Sequence, residues 1–448
     1  MEYDVIVIGG GTAGLGAYRK AKALGKKALI IESNRFVTTC ANVGCMPSKL
    51  LIAAAENMHE IQKSSGFGIN VGQIEIDEEK LFGRVRSERD RFVGFVESGA
   101  MKIPEEDRII GYATFKDLNT IEVNGRILTT KATVIATGSH PFIPHIFDSV
   151  KNEILTNENV FEMNKLPKTV AVFGAGVIGL ELGFALHNLG SKVTLFNRGS
   201  HILSLSHKVN EYLVKHIEDS FNFIYEQSVE RVEKVESGYN IYYGGEVLHV
   251  EKILVATGRK PNVDKLGFHN VKELHGNNIL EQYNKETTQV GDLPIFLAGD
   301  VNNDVTLLHE AAKEGIISGE NAANYPHVKN HKRNVFMGVV FSSPQIIQVG
   351  KTTHLPDDVV IGEVSFEDQG RSRVMLKNKG LLRVYFDRQS HLLIGSEMIG
   401  PDAEHVAHML AWLIEKNTTL EEILDLPFYH PVIEEGIRTA MRDAMSKI

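Results

Sequence analysis

One glycine pattern occurs twice in this chain, each time in the same setting. Val5-Ile6-Val7-Ile8 reads as a buried strand. Gly9-Gly10-Gly11-Thr12-Ala13-Gly14 follows, then an Ala-rich helix to about Gly25, then a strand, Ala28-Leu29-Ile30-Ile31, ending on Glu32. The strand 169–173, the run Gly174-Ala175-Gly176-Val177-Ile178-Gly179, a helix and the strand 192–196 repeat this 165 positions later (174 − 9). Strand, G-x-G-x-x-G, helix, strand is the fingerprint of a dinucleotide-binding βαβ unit. Gly9 allows the tight turn, Gly11 lets the backbone approach a pyrophosphate, and the helix N-terminus faces that charge. Gly14 completes the pattern, and Glu32 can accept hydrogen bonds from ribose hydroxyls. A single such run is weak evidence. Two in strand–helix–strand context predict two Rossmann-like domains and two dinucleotides in one chain.

Other turns fit this plan. The strand 132–136 ends in Thr137-Gly138, and 253–256 ends in Thr257-Gly258-Arg259; these two turns are expected to mark where the chain leaves and re-enters the first domain. Leu166-Pro167-Lys168 reads as a linker. Pro294-Ile295-Phe296-Leu297-Ala298-Gly299-Asp300 is an apolar strand closing on an acid that can bind a sugar-like hydroxyl. Leu307-Leu308-His309-Glu310 opens an Ala-rich helix. Beyond about residue 334, β-type runs (335–341, 359–366) alternate with turns. The stretch 402–416 places Val406, Ala407, Leu410, Leu413 and Ile414 on one helix face. This last part reads as an α+β module with no cofactor signal.

The only two cysteines stand in Cys40-Ala41-Asn42-Val43-Gly44-Cys45-Met46-Pro47-Ser48-Lys49. A helix is expected over 50–62, with Cys45 and Lys49 at or near its first turn. A helix N-terminus favours thiolate, and Pro47 suits a helix start. Two cysteines are too few for a disulfide scaffold, so the pair reads as redox-active rather than as two stray thiols. The formal charge of −9 speaks against nucleic acid as the main partner. No apolar run reaches the roughly 18–20 residues needed to span a bilayer. The acidic start Met1-Glu2-Tyr3-Asp4 is not a secretory signal, so a cytoplasmic location is expected. A charged helix over 77–101 presents a solvated face. His405 and His408, and likewise His201 and His207, read as surface or packing residues, and no metal is expected.

Two fingerprints, C-A-N-V-G-C-M-P-S-K, two A-T-G turns, A-G-D and a terminal H-P-x-x-x-E together resemble the FAD-dependent pyridine nucleotide–disulfide oxidoreductases, most of all dihydrolipoamide dehydrogenases. The resemblance implies an FAD-binding domain over 1–145, an NAD(P)-binding domain over 146–265, a central domain over 266–333 completing the FAD site, and an interface domain over 334–448. It implies a homodimer whose active sites are shared between subunits. Cys45 would face the flavin and Cys40 would meet a small disulfide or dithiol substrate. Lys49 would pair with Glu181 beside the flavin. Asp300 would hold the ribityl chain, and the loop before His309 would offer backbone donors to the flavin pyrimidine. His430 would be the acid/base, supplied in trans and oriented by Glu435 rather than by the neighbouring Glu434.

Three departures stand out. Val37-Thr38-Thr39 replaces the family's Gly-Gly-Thr, putting side chains where bare backbone runs past the flavin. Asn197, followed by Arg198, stands where NAD-preferring members carry an acid; losing it relieves repulsion of a 2′-phosphate, which Arg198 can pair. This favours NADPH over NADH, although Gly179 leans the other way. No extra cysteine pair is present, which makes mercuric ion an unfavoured substrate. The leading expectation is a dihydrolipoamide dehydrogenase-like enzyme. The alternatives are an NADPH-dependent reductase of a low-molecular-weight disulfide or oxidant in redox defence, and a non-catalytic flavin-binding assembly subunit.

Overall fold

The computed structural model describes residues 2–274 and 279–448. They form two compact units: Met1–Pro47, Arg84–Phe142 and Gly258–Arg333 make the first, and Ser48–Gly83, Ile143–Thr257 and Asn334–Ile448 the second.

In the first unit, alternating helices and apolar runs build a parallel sheet. Its strands lie in the order Arg108–Ile110, Ala28–Glu32, Tyr3–Ile8, Arg126–Ile135 and Ile295–Leu297. These strands are too apolar for a sheet with one wet face, and both faces are covered. Helices Thr12–Ala23 and Leu308–Asn324 cover one face, their alanines packed with Val5, Val7, Val134 and Phe296. On the other face Ile6, Ile8 and Leu29 pack with Phe115, Ile121 and Val290. The first half of Arg126–Ile135 turns away to pair antiparallel with Thr120–Val123, which pairs with Ala113–Asp117. Beyond the two A-T-G turns, Ser139–Pro141 and Arg259–Pro261 pair antiparallel, His140 opposite Lys260, where the chain leaves and returns. The described residues of 266–333 belong to this unit.

The second unit repeats the parallel motif with strands Asn222–Tyr225, Lys192–Asn197, Thr169–Phe173 and Lys252–Val255. It carries an antiparallel meander over 229–250. It also holds a five-stranded antiparallel sheet, in the order Met337–Val340, Gln345–Gly350, Leu393–Gly400, Leu381–Phe386, Val360–Ser365. Helices Ala403–Glu415 and Glu435–Met445 bury Val406, Leu410, Ile437 and Met441 against that sheet. Leu166 to Lys168 is tied down rather than free: its ends donate backbone N–H bonds to Glu78 and Glu251.

The helix expected over 50–62 starts five residues earlier and runs Cys45–Lys63. The cause lies upstream. Thr38 Oγ1 accepts the N–H of Ala41, capping a short helix Thr39–Val43, and Gly44 breaks it. A side chain at Gly44 would come within 3.1 Å of Cys40 Cα. Glycine suits a second helix that starts this close to the first, because a side chain there would need Thr39 and Cys40 to give way slightly.

Candidate active site

The first fingerprint lines a cleft of about 840 Å³. Gly9 has φ +110°, and a Cβ there would lie 2.2 Å from Ala136 O; one on Gly14 would lie 1.8 Å from Gly9 O. Bare backbone is therefore obligatory, and Gly11 faces open space. Gly11 caps helix Thr12–Ala23 without a side chain, and no acid stands in its first turn. The N-terminal N–H groups and dipole of this helix suit an anion such as a pyrophosphate. Glu32 is fixed at the cleft wall: Oε2 accepts Gly10 N–H at 2.6 Å, and Oε1 accepts Ser33 Oγ and Asn34 N–H. Thr137 and Gly138 line the cleft beside Val37, Thr39 and Asn42. These donors and this shape fit a dinucleotide. The Val37-Thr38 departure resolves into a division of labour. Val37 forms cleft wall, and Thr38 turns inward as a helix cap.

Asp300 follows strand Ile295–Leu297 through Gly299, whose φ is +77°. Its Oδ2 accepts Ser139 Oγ at 2.8 Å, and Arg259 Nε donates to the same hydroxyl at 2.7 Å. Behind it lies a network with no sequence signal. Glu314 is fully buried, and its Oε2 accepts Gly299 N–H at 2.7 Å and Asn302 Nδ2 at 2.8 Å, one on each side of Asp300. Arg333 donates to Glu314 at 2.7 Å and to Glu310 at 2.6 Å. Burial pushes the Glu314 carboxyl up, against the pull of Arg333 and the Gly299 N–H. His309 sits in the first turn of helix Leu308–Asn324, half-exposed, with Nε2 3.9 Å from Glu310 Oε1.

Cys40 is the second residue of its short helix and partly exposed; Cys45 is the first residue of the long helix and exposed. Lys49 lies one turn beyond Cys45. Its Nζ donates to both carboxylate oxygens of Glu181 at 2.8 Å. Glu181, on helix Val177–Asn188, is buried, so the lysine supplies the charge that burial demands.

The second fingerprint repeats the close approaches of the first. Gly174 has φ +102° and its Cβ would meet Ala256 O at 2.4 Å; a Cβ on Gly179 would lie 1.8 Å from Gly174 O. Gly176 caps helix Val177–Asn188 with no side chain and no first-turn acid. Asn197 Oδ1 accepts the Ala175 N–H at 3.1 Å, and its Nδ2 donates to Gly199 O at 2.6 Å. Arg198 is exposed at the strand end. Gly258, with φ +115°, falls just past this site, in the first unit.

His430 is largely exposed, and its Nδ1 lies 3.0 Å from both oxygens of Glu435. Glu435 also accepts Val432 N–H, and the hydrogen bond with His430 holds its carboxyl below the usual carboxylate range. Glu434 instead stands at the N-cap position of the helix that Glu435 opens, its side chain making no capping hydrogen bond. His405 and His408 are exposed, and among the described residues no cluster of three His, Cys, Asp or Glu is placed to hold a metal. No helix among them is long and apolar enough to cross a membrane.

Two dinucleotide loops and a cysteine pair at a helix start define a two-nucleotide dithiol–disulfide oxidoreductase. The chain belongs to the pyridine nucleotide-disulphide oxidoreductase family: residues 3–315 match that family and residues 336–441 match its dimerisation domain. It is 30% identical to the dihydrolipoyl dehydrogenase of Geobacillus stearothermophilus, over 97% of this chain and 94% of that one. It is equally, 30%, identical to the mercuric reductase of Lysinibacillus sphaericus, over 98% of this chain and 82% of that one. The solved structure of the HOCl-induced flavoprotein disulfide reductase RclA from Escherichia coli shares the fold, with a TM-score of 0.82 at 21% identity over 99% of each chain. The protein is thus an FAD-dependent flavoprotein disulfide oxidoreductase that uses NAD(P)H, and its C-terminal module makes it a homodimer.

Proposed function

We propose that the protein is an NADPH-driven reductase of a small disulfide. The observation that carries this reading is Asn197 in place of an acid. An NADPH donor suits reduction better than the oxidation of a dithiol by NAD. Bound FAD supplies the two-electron link between the nicotinamide and the thiol pair. Gly9–Gly14 and Glu32 hold its pyrophosphate and ribose; Asp300, set by Ser139, takes a ribityl hydroxyl; Thr137, Gly138 and the loop before His309 complete that site. Gly174, Gly176 and Gly179 hold the pyrophosphate of NADPH, Gly258 follows the turn that closes the second site, and Arg198 takes the 2′-phosphate.

In the thiol steps, Cys40 thiolate attacks one sulfur of the substrate, forming a mixed disulfide and expelling a thiolate. His430 Nε2 gives that thiolate its proton, with Nδ1 held by Glu435. Cys45 thiolate then attacks Cys40 sulfur, closing the Cys40–Cys45 disulfide and expelling the second thiolate, which takes its proton from solvent. One disulfide, one NADPH and one proton become two thiols and NADP⁺. Lys49, one helical turn beyond Cys45, and Glu181 form an ion pair that would set the charge near the flavin. The test compares kcat/KM for NADPH and NADH across small disulfides and an oxidant panel; a clear NADH preference would sink the proposal. The dihydrolipoyl dehydrogenase relatives favour a second reading, oxidation of dihydrolipoamide by NAD. Rapid turnover of that pair, with none of small disulfides, would establish it instead.

A further inference from the structure

Phe341 touches both members of the Lys49–Glu181 pair. It follows strand Met337–Val340, the first of the dimerisation module. Its backbone N–H donates to Glu181 Oε1 at 3.1 Å. Its ring lies beneath the ammonium of Lys49, 4.6 Å from Nζ to the ring centroid. One residue thus fixes the carboxylate through its main chain and the ammonium through its π-face. The two contacts act in the same direction. The N–H takes up part of the charge on Glu181, and the negative ring face attracts the ammonium that pairs with it. Without the ring, Lys49 keeps one anchor and its long stem regains rotamer freedom.

We infer that Phe341 is a positioning residue for the reaction: through its ring it sets where the Lys49 charge stands, and so the reduction potential of the flavin. This rests on the reading that Lys49 flanks the flavin. Because the ring comes from the dimerisation module, that module's first strand and the redox helix are joined at one charge.

The experiment measures the flavin midpoint potential and melting temperature of the purified, FAD-loaded dimer for Phe341→Leu, Phe341→Tyr and Lys49→Met. Phe341→Leu keeps the N–H and the bulk but loses the π-face. It is expected to shift the oxidised-to-reduced ratio three- to fivefold, about 14–21 mV lower for a two-electron couple. Phe341→Tyr restores the parental potential. Ring-fluorinated phenylalanine at 341, which draws charge off the face at nearly constant shape, reproduces the shift if the leucine variant does not fold. A parental potential in Phe341→Leu, with or without a lower melting temperature, overturns the inference while a shifted Lys49→Met leaves the underlying reading intact. A parental potential in Lys49→Met overturns both.

Discussion

Asn197 Oδ1 accepts the backbone N–H of Ala175 at 3.1 Å. At the first site Glu32 does the same for Gly10. The second site therefore keeps the acceptor its glycine loop needs and drops the charge. Asn197→Asp should leave the fold intact, because a carboxylate oxygen still receives Ala175. It should lower kcat/KM for NADPH about 10- to 100-fold by facing the 2′-phosphate with a like charge, while NADH is spared. Arg198→Ala should lower NADPH turnover alone. Equal losses with both nucleotides in steady-state assays would remove the phosphate role.

Lys49 and Glu181 suit a double-mutant cycle. Removing Lys49 takes the ammonium from a buried carboxylate and leaves it the Phe341 N–H. Since Lys49 is about one-third exposed, the cost of Lys49→Met is put at about 1–3 kcal/mol, below that of a fully buried pair. Glu181→Gln should cost less, because the amide oxygen can still take the Phe341 N–H. The double variant should be more stable than the sum of the singles predicts, by ~1 kcal/mol or more. Additive denaturation free energies would show that the pair is not coupled.

The glycine runs were legible because their constraint is local: Gly9 and Gly14 meet each other and Ala136, and any side chain collides whatever the rest of the chain does. The cysteine stretch was legible for its isolation, and His430 only through the family motif that ends in Glu435. The buried network was not legible. Glu314 and Arg333 look like ordinary helix and loop charges, and nothing in their spacing says that Gly299 and Asn302 will meet the carboxylate. From sequence Phe341 is the end of a β-run, since a ring under a lysine 292 positions away (341 − 49) leaves no pattern. From sequence Thr38 is an intrusion at the flavin, yet it is the cap of the short helix that carries Cys40.

Thr38 should therefore matter to stability more than to cofactor affinity. Thr38→Ala removes the acceptor for Ala41 N–H and should cost about 1 kcal/mol in urea unfolding, whereas Thr38→Gly should cost only a few tenths from the cap itself. FAD affinity of either variant is expected to stay within about threefold of parent. A large loss of FAD affinity at unchanged stability would return Thr38 to the cofactor wall.

Arg333→Met should destabilise by about 3–5 kcal/mol at neutral pH, leaving Glu310 and Glu314 buried without their cation. The deficit should shrink in acid. Burial already raises the Glu314 carboxyl above its ordinary value, and loss of Arg333 raises it further. Between the unfolded and folded values the native state holds more protons than the unfolded one, so stability falls as pH rises through that window and returns as pH drops. Melting curves from pH 7 down to 5 should converge on parent; a deficit independent of pH would assign the effect to packing.

The exposed His430–Glu435 pair needs a thiolate to protonate, and the shared-site reading places that thiolate on the other subunit of the dimer. His430→Gln should leave reduction of the enzyme by NADPH at the parental rate and slow disulfide turnover about 10²- to 10⁴-fold. Glu435→Gln should slow the same half-reaction less, since it removes the anchor on Nδ1 rather than the proton donor. Cys40→Ser should be inactive on its own. Refolded or co-expressed together, Cys40→Ser and His430→Gln chains form mixed dimers. If the histidine acts in trans, each mixed dimer holds one site with an intact cysteine from one chain and an intact histidine from the other. Random pairing then restores about a quarter of parental turnover per site. If it acts in cis, every site carries one lesion and no activity returns.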